Sequence, residues 1–521
     1  MTVKQYTFPI YYTGLLLLAA GTPIWMLLMS ISQIIILCSW IIDGNLKEKF
    51  KTAFTNPVVL VLTGLFVIHL VGLLNTSDVD NAFRDLRIKM PLLMLPIVVS
   101  TMPRLNEQQF NNVLKVLIAA TLISTLCSIV VLMGFTSIKV DNIRDISIFI
   151  SHIRLALIMC ICIAAIIYLS GKEKKWYKKM LYFIVIVWFI IFLIILESLT
   201  GIFILICLII VYGFSILRKK QSGLLRPVTV IFFLLVLTSL GFLYKYLFID
   251  SVKIITVDAR SLKPYTALGH EYFHLPKRQD TENGNAVWIN INEQELDSCW
   301  HNRSSLNYNG NDLKGQAVKY TLIRYMTSKN LTKDAEGMKQ LSANDIHAVE
   351  NGIPNINYIY KSDFTARVQQ LAWEYRNYYF SGNPSGHSAM QRLEFWKTAI
   401  YIIKKHPFAG VGTGDVQQEF NKAYVEMKSK LLPQFRFHSH NEYLTMAVAF
   451  GIGGGLYFIF SLFFPFIYMQ KKKDFLYTAF FIILLLSMLT EDTPETQAGV
   501  TFMAFFNALF LFHDHGKTAI H

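Results

Sequence analysis

Two histidines and an asparagine, His438, His440 and Asn441, stand where a polar segment runs into a long apolar one. An imidazole has an unperturbed pKa of about 6.5, so at neutral pH it is mostly an uncharged base that can accept a proton from a hydroxyl group. The apolar stretch from Leu444 to Met469 is long enough, at about 1.5 Å per residue, to cross a hydrocarbon core of about 30 Å. The pattern predicts that His440 is a general base at a membrane surface. A histidine that only anchors a helix end is the alternative interpretation.

Cations that could hold a negatively charged leaving group occur at several other positions. Arg392 falls in the first turn of a helix predicted over Ser388–Lys405, where the helix dipole disfavours a cation. The remaining candidates belong to connections predicted on the same side of the membrane as His440, and they are Arg84, Arg87, Lys89 and Arg154. Arginine suits phosphate because its planar fork donates two parallel hydrogen bonds. Binding of lipid headgroups, or pairing with nearby aspartates, is the competing interpretation.

Membrane spans must position these residues. The chain has 521 residues, of which 53% are hydrophobic and 16% charged, a composition typical of a polytopic membrane protein. The net charge of +14 does not indicate nucleic-acid binding, because Lys and Arg gather in short runs between apolar segments. About twelve spans are predicted, over approximately 8–42 (a hairpin broken at residues 21–23), 57–74, 91–102, 113–134, 153–170, 180–196, 202–217, 228–248 and 444–469, with the last two flanking 491–497.

Basic runs follow every second span, as at residues 172–179, 218–220 and 471–473. By the positive-inside rule these connections are cytoplasmic, so both termini lie inside and His440 lies outside. The first apolar run shows no clear cleavage site and continues into a second span, which argues against a cleavable signal peptide. Among the six cysteines only Cys299 falls in the outer segment, so no disulfide is expected within it.

The predicted domains are residues 1–248 with nine spans, a large mixed outer domain over 249–437, and residues 438–521 with the histidine motif and three spans. The outer domain is too rich in aromatic residues to be disordered. It is predicted to contain a strand over 286–292 and helices over 316–328, 343–351 and 367–380. The fold class is therefore an all-α membrane protein with one mixed outer domain.

The motif itself resembles a known signature. His440, Asn441, nine residues, then Gly451 and Gly454 match the pattern of the bacterial O-antigen ligase and O-antigen polymerase superfamily at every position. The segment around Arg392, R-L-E-F-W-K-T-A-I, with H-P-F-A-G-V-G-T-G after it, is similar to the one that precedes this motif in O-antigen ligases. The resemblance implies a GT-C-like fold and a multi-pass protein of the bacterial inner membrane with its active site facing the periplasm.

The resemblance also implies a reaction. A glycan would pass en bloc, with inversion and without metal or cofactor, from undecaprenyl diphosphate to an acceptor hydroxyl. His440 would be the catalytic base, Arg392 with one or more of the outer cations would hold the diphosphate, and His438 and Asn441 would contact substrate. The glycines would let helices pack closely. Relatives often carry Ser-Arg after the seventh span, whereas this chain has Leu199 there.

The acceptor stays open at this point. Lipid A-core would make the protein a ligase, a second lipid-linked repeat would make it a polymerase, and Ser or Thr of a protein would make it an O-oligosaccharyltransferase. All three reactions share the base, the cations and the topology, with membrane lipid as the surroundings. The large outer domain is expected to determine which acceptor is used.

Three other patterns point elsewhere. His270 to His274 fits H-E-x-x-H, which on a helix would form the zinc site of a membrane metalloprotease, although Pro264 and Pro276 leave little room for a helix. The glycines at 410, 412 and 414 could form a phosphate loop, but a tight turn fits them better. His69 and Glu197 at predicted spans would suit a proton-coupled transporter, although no inverted repeat is visible.

Overall fold

The computed structural model describes residues 4–138, 140, 143–217, 225–258, 260, 262–360 and 363–513. These residues are mostly helical. The helices of the first half are α1 (Lys4–Ile24), α2 (Met26–Ile42), α3 (Leu46–Thr55), α4 (Pro57–Val71), α5 (Val79–Thr101), α6 (Glu107–Leu132), α7 (His152–Lys172), α8 (Trp176–Ile195), α9 (Leu199–Leu217) and α10 (Leu225–Tyr244).

A two-stranded antiparallel sheet follows, formed by β1 (Thr281–Glu282) and β2 (Asn285–Ala286). The later helices are α11 (Glu293–His301), α12 (Val318–Ser328), α13 (Ala335–Lys339), α14 (Ala343–Glu350), α15 (Asn357–Tyr360), α16 (Asp363–Ser381), α17 (Ser388–Lys405), α18 (Val416–Glu426), α19 (Glu442–Tyr468), α20 (Phe475–Ser487) and α21 (Gln497–Phe512). The chain divides into two compact units, Met1–Thr229 with Arg392–His521, and Val230–Gln391. We call them the membrane unit and the outer unit.

Among the described residues, seven helices are long and apolar enough to cross a membrane, or up to eight if α2 and α3, which bend by 113°, form one broken span. Six of the seven lie in the membrane unit, and the seventh, Phe233–Asp250, belongs to the outer unit. Three shorter apolar helices are Leu199–Gly213, Phe475–Ser487 and Gln497–Phe512. The chain is therefore a multi-pass membrane protein.

Each predicted span corresponds to a helix, although their full number as crossings stays a prediction. The opening hairpin breaks at Trp25, whose φ of −157° is extended, slightly after the predicted position. The short span at 91–102 extends upstream to Val79, where Asp78 caps α5 by accepting a hydrogen bond from the backbone of Asn81. The predicted basic run Arg218-Lys219-Lys220 lies outside the described residues.

The core of the membrane unit forms around α7 and α21, which are apolar on nearly every face and consequently buried. In α21 every residue from Ala498 to Phe512 is buried. The helix packs most extensively against α5, the helix that carries the predicted cations Arg84, Arg87 and Lys89. This packing fixes α5 and the connection before α21 relative to each other.

The outer unit has its own apolar core, centred on Trp300, Leu322 and Val349. Its predicted helices are present with small shifts in their ends, and Ser342 caps α14 in a reciprocal capping box. The predicted strand over 286–292 is wrong as a continuous strand: only its first residue lies in β2, and Ile291 forms isolated bridges. Asn290 has a φ of 52°, in the left-handed region, which interrupts an extended segment.

The structure divides the chain differently from the predicted boundaries at 248 and 437. Residues 392–437 pack with the membrane unit because α17 and α18 share an apolar core with α19. Phe395, Ile402, Phe420 and Tyr424 meet Val448 in this core. The segment between Arg392 and the histidine motif is therefore part of the scaffold that holds the motif.

Candidate active site

The histidine motif lies at the start of α19, where two backbone features fix its geometry. His440 has a φ of 47°, in the left-handed region that costs free energy for a residue other than glycine. Asn441 caps the helix by accepting a hydrogen bond from the backbone of Leu444 at 3.1 Å, and its Nδ2 donates to the carbonyl of Leu489 at 3.0 Å. Asn441 thus has an observed structural role, and its predicted contact with substrate stays a prediction.

One carboxylate, Asp492, stands beside both histidines. Its Oδ2 lies 2.7 Å from Nε2 of His438 and 3.5 Å from Nδ1 of His440. Thr445 donates a hydrogen bond to the other carboxylate oxygen at 3.1 Å. The two histidine side chains are 31% and 32% exposed, whereas that of Asp492 is only 4% exposed. A substrate can therefore reach the imidazoles while the carboxylate stays behind them.

The two imidazoles have opposite protonation preferences. Burial lowers the pKa of His440 to about 4; the charge of Asp492 opposes this shift, and those of His438 and Arg392 add to it. Burial also lowers the pKa of His438, but the hydrogen bond and charge of Asp492, together with the charge of Glu495, outweigh it and raise the net pKa. His440 is consequently an uncharged base at neutral pH. With Nδ1 directed toward Asp492, its Nε2 is the atom left to accept a proton.

Arg392 lies in the same site, held by the connection between α20 and α21. Its Nη2 pairs with Oε1 of Glu491 at 2.5 Å, and its Nε donates to the carbonyl of Thr490 at 3.0 Å. Burial raises the pKa of Glu491, and the charges of Arg392 and Arg154 oppose that rise. Arg392 and Arg154 thus both act on Glu491, and Arg392 also acts on His440; their roles in a reaction stay a prediction.

Arg154 keeps part of its guanidinium available. Its Nη1 donates to Oγ of Ser151 at 3.4 Å. Its Nε is buried and donates to no residue that the structure describes. An unpaired buried donor is costly, and a bound anion would satisfy it.

Sequence reasoning missed Arg144. Its Nη2 lies 4.0 Å from Oε2 of Glu197, two residues before Leu199, the position at which relatives carry an arginine. The charges of Arg144 and Arg392 both act on His152, so the three residues belong to one neighbourhood. Arg144 lies in a connection predicted to be outside. The same exception to the positive-inside rule that singled out Arg154 would have found it.

The three cations of α5 differ in how far their side chains are exposed. Arg84 and Arg87 are exposed. Arg84 also lines a cavity of about 220 Å³ together with Asp85, His438 and Glu495. Lys89 differs from the expectation of an exposed cation that binds the donor, because its side chain is fully buried.

Lys89 uses its ammonium group within the protein. It pairs with Glu495 at 2.5 Å and Asp85 at 3.5 Å, and it donates to the carbonyl of Pro494 at 3.0 Å. Three partners occupy the three donors of a lysine. Lys89 therefore joins α5 to the connection that carries Asp492.

The motif glycines act on the backbone. Gly451 has a φ of 70° within α19 and interrupts the helix. A Cβ atom there would lie 2.2 Å from the carbonyl oxygen of Phe408, and the next residue, Ile452, donates to the carbonyl of Pro407 at 2.8 Å. Gly451 thus admits a loop, where the resemblance implied helix packing. At Gly454 a Cβ atom would lie 2.2 Å from that of Phe450, on the preceding turn.

That loop contains the glycines at 410, 412 and 414. Gly410 and Gly412 have φ values of 67° and 91°, which confirms a tight turn. A Cβ atom at Gly410 would lie 2.3 Å from the carbonyl oxygen of Ala449. The loop therefore packs its backbone against α19.

The H-E-x-x-H segment does not form a helix. Tyr265 bridges Glu271 and Phe273 bridges Ile291, so the segment is extended, and the geometry of a helical zinc site is ruled out there. His270 instead pairs with Glu295 at 2.8 Å, and Nε2 of His274 lies 2.9 Å from the carbonyl of Lys263. The metalloprotease interpretation is wrong for this segment.

A different group has the donor atoms that metals use. Ligand atoms of His438, His440 and Asp492 all lie within 4.8 Å of one another, and two imidazoles with a carboxylate form a set found in zinc enzymes. The resemblance implies transfer without a metal. Measuring transfer after metal has been removed from the purified protein distinguishes a metal-dependent mechanism from a metal-independent one.

A comparison with known protein families matches the part of the chain that contains the histidine motif. The family model described as O-Antigen ligase matches residues 355–459, which include Arg392, His440, Gly451 and Gly454. A search of curated proteins finds no match. The matched segment contains both the histidine motif and Arg392, so this part of the chain is similar to the O-antigen ligase family.

Proposed function

We propose that this protein is an inverting, metal-independent glycosyltransferase of the bacterial inner membrane. It moves a glycan en bloc from undecaprenyl diphosphate to a hydroxyl of lipid A-core on the periplasmic face. Its fold is GT-C-like with about twelve spans. The family match over residues 355–459 supports this proposal, and so does His440, whose pKa is lowered by burial in the neighbourhood of the partly buried Arg392. The O-antigen polymerase and protein O-oligosaccharyltransferase reactions are the alternatives within the same superfamily.

His440 performs the proton transfer. Its Nε2 takes the proton of the acceptor hydroxyl as the oxygen attacks the anomeric carbon, and the new glycosidic bond forms. The imidazolium that results is stabilised by Asp492, whose Oδ2 lies 3.5 Å from Nδ1. Attack from the face opposite the diphosphate inverts the anomeric configuration.

The arginines stabilise the leaving group. As the bond between the anomeric carbon and the diphosphate oxygen breaks, undecaprenyl diphosphate departs with the electron pair and a growing negative charge. Arg392 and Arg154 supply planar donors for these oxygens. Arg144, which lies near Glu197, takes the part of the arginine that Leu199 replaces. Glu491 pairs with Arg392 at 2.5 Å and orients its guanidinium.

The observation that carries the proposal is the difference between the two imidazoles. Burial lowers the pKa of His440 to about 4, the charge of Arg392 adds to this shift, and Nδ1 of His440 lies 3.5 Å from Oδ2 of Asp492. A base without charge and a cation for phosphate, side by side, suit transfer from an activated lipid diphosphate to a hydroxyl.

The proposal is tested with purified protein in proteoliposomes that contain a lipid diphosphate-linked glycan and EDTA. Lipid A-core, further lipid-linked glycan and a serine-rich protein are supplied separately as acceptors. We expect glycan on lipid A-core and no effect of EDTA. Product on one of the other acceptors would select the corresponding alternative, and a requirement for zinc would contradict the metal-independent mechanism.

A further inference from the structure

The outer unit contains a cavity of about 540 Å³ that the proposed reaction does not use. Its wall comes from residues 246–255, which follow α10, from β1 and the turn after it, from residues 355–358 and from α16. We call it the hairpin cavity. Its volume falls in the range of roughly 300–1,000 Å³ that small-molecule sites occupy, so it has room for more than one sugar ring.

The acidic groups of the hairpin cavity are paired within the outer unit. Asp250 pairs with Lys253 at 2.7 Å, and Glu282, which is 1% exposed, pairs with Arg324 at 2.7 Å. The negative charge of each carboxylate is therefore already balanced by a basic side chain before a ligand binds. This lining disfavours a strongly cationic ligand.

Arg376, a cation of the same wall, is also engaged. It donates to the carbonyls of Ser251, Lys253 and Gln279 at 2.6, 2.7 and 2.7 Å. A guanidinium that holds three carbonyls has little capacity left for an anion such as phosphate. The charges of the wall thus favour a neutral ligand.

The remaining polar lining consists largely of amides, Asn283, Asn355, Asn357 and Gln369. An amide offers a donor and an acceptor side by side, the arrangement that binds neighbouring hydroxyl groups. The Oε1 atom of Gln369 is buried and accepts no hydrogen bond from any residue that the structure describes. Burial without a partner is unfavourable, and a hydroxyl group in the cavity would supply the missing donor.

Aromatic rings complete the wall. Tyr246, Tyr358 and Trp373 line the cavity, and the guanidinium of Arg324 stacks over Trp373 at 3.9 Å. This contact, with the ion pair to Glu282, holds the indole in place. The polarised C–H groups of a sugar ring pack on such aromatic faces because the face carries negative charge density.

We propose that the hairpin cavity binds a short segment of a saccharide chain through amides and aromatic rings. A neutral, hydroxyl-rich ligand fits the balanced charges, the amides and the aromatic rings together. The site is separate from the histidine motif. The choice of the transferred glycan as the ligand rests on the proposed function, whereas the saccharide class rests on the cavity alone.

The test uses full-length protein with His440→Ala, so that nothing is turned over. The probes are oligosaccharides released by mild acid from the surface polysaccharide of the host, and inorganic diphosphate serves as an anionic control. Binding is measured by saturation-transfer NMR and calorimetry. The test variant, Gln369→Leu, removes the unpaired oxygen at nearly constant size, and Gln370→Leu is the matched control on the same helix, outside the cavity lining.

We expect the oligosaccharides to bind, Gln369→Leu to weaken binding about tenfold, and Gln370→Leu to leave it unchanged. Thermal stability of Gln369→Leu should equal or exceed that of the parent, because an unsatisfied polar atom is removed. Failure of the oligosaccharides to bind the parent protein, or equal affinity in the two leucine variants, would overturn the proposal. If the His440→Ala protein binds the oligosaccharides but the wild-type protein transfers no glycan, the proposed function is refuted and the proposed saccharide site is not.

Discussion

Oδ2 of Asp492 lies 3.5 Å from Nδ1 of His440, although the helices α19 and α20 separate the two residues in the sequence. The carboxylate is buried and the imidazole is partly exposed. In the proposed mechanism, a proton accepted by His440 meets the fixed negative charge of Asp492. The carboxylate would therefore stabilise the imidazolium that forms.

Asp492→Asn should lower kcat for glycan transfer by roughly a hundredfold or more, since loss of the carboxylate behind a catalytic imidazole has effects of this size or larger in other enzymes. The KM for the donor should change little, because in the proposed mechanism Asp492 acts on the histidine and not on the diphosphate. Initial rates in proteoliposomes over a range of donor concentrations measure both. Asp80→Asn, at the exposed start of α5, is the control, and equal rates in both variants would contradict the role of Asp492.

The pH dependence follows from the lowered pKa of His440. Because that pKa is about 4, the imidazole is neutral and competent above this pH and becomes protonated and inactive below it. The acid limb of kcat/KM should therefore fall near pH 4. An ordinary histidine would place it near 6.5. If kcat/KM, measured from pH 4 to 8, falls to half its maximum near pH 6.5, burial does not lower the pKa of the catalytic base.

Arg392→Lys should reduce kcat/KM by roughly tenfold or more, because an ammonium group is a point charge and cannot donate two parallel hydrogen bonds to a diphosphate. The pairing with Glu491 can persist in the lysine variant, so the fold should be retained. Arg104→Lys, in the exposed connection between α5 and α6, controls for the substitution itself. Undiminished transfer by the Arg392 variant would remove this residue from the diphosphate site.

Gly451→Ala should destabilise the membrane unit by about 1–3 kcal/mol. Its φ is 70°, and the new methyl group would lie 2.2 Å from the carbonyl oxygen of Phe408. Gly453→Ala, where a Cβ atom meets nothing within 4 Å, should be neutral or slightly stabilising. Thermal unfolding in detergent compares the two. Equal melting temperatures would mean that the loop does not need the glycine.

Local sequence patterns predicted the elements but only part of the site. The bounds of α17, the start of α19 and the positions of Arg392 and His440 followed from apolar runs, caps and a short motif. Asp492 was missed because its contacts are with residues far away in the sequence, whereas Arg144 could have been found by the charge rule that singled out Arg154. A carboxylate between two apolar helices gives no local sign of the histidines that it contacts.

The cations of α5 illustrate the same limit. Residues 84, 87 and 89 are close in sequence and look alike as exceptions to the charge rule. Packing of α5 on α21 buries only Lys89 and pairs it with Glu495 at 2.5 Å, while Arg84 and Arg87 stay exposed. Helix periodicity alone could not assign these faces, since both sides of α5 carry apolar and charged residues.

The most direct measurement is transfer of lipid diphosphate-linked glycan to lipid A-core by purified His440→Ala protein, compared with wild type and with His406→Ala as a histidine control outside the site. We expect that His440→Ala loses transfer, binds the donor with unchanged affinity and unfolds at a temperature close to that of wild type, while His406→Ala transfers normally. Wild-type rates from a folded His440→Ala protein would contradict the assignment of His440 as the base.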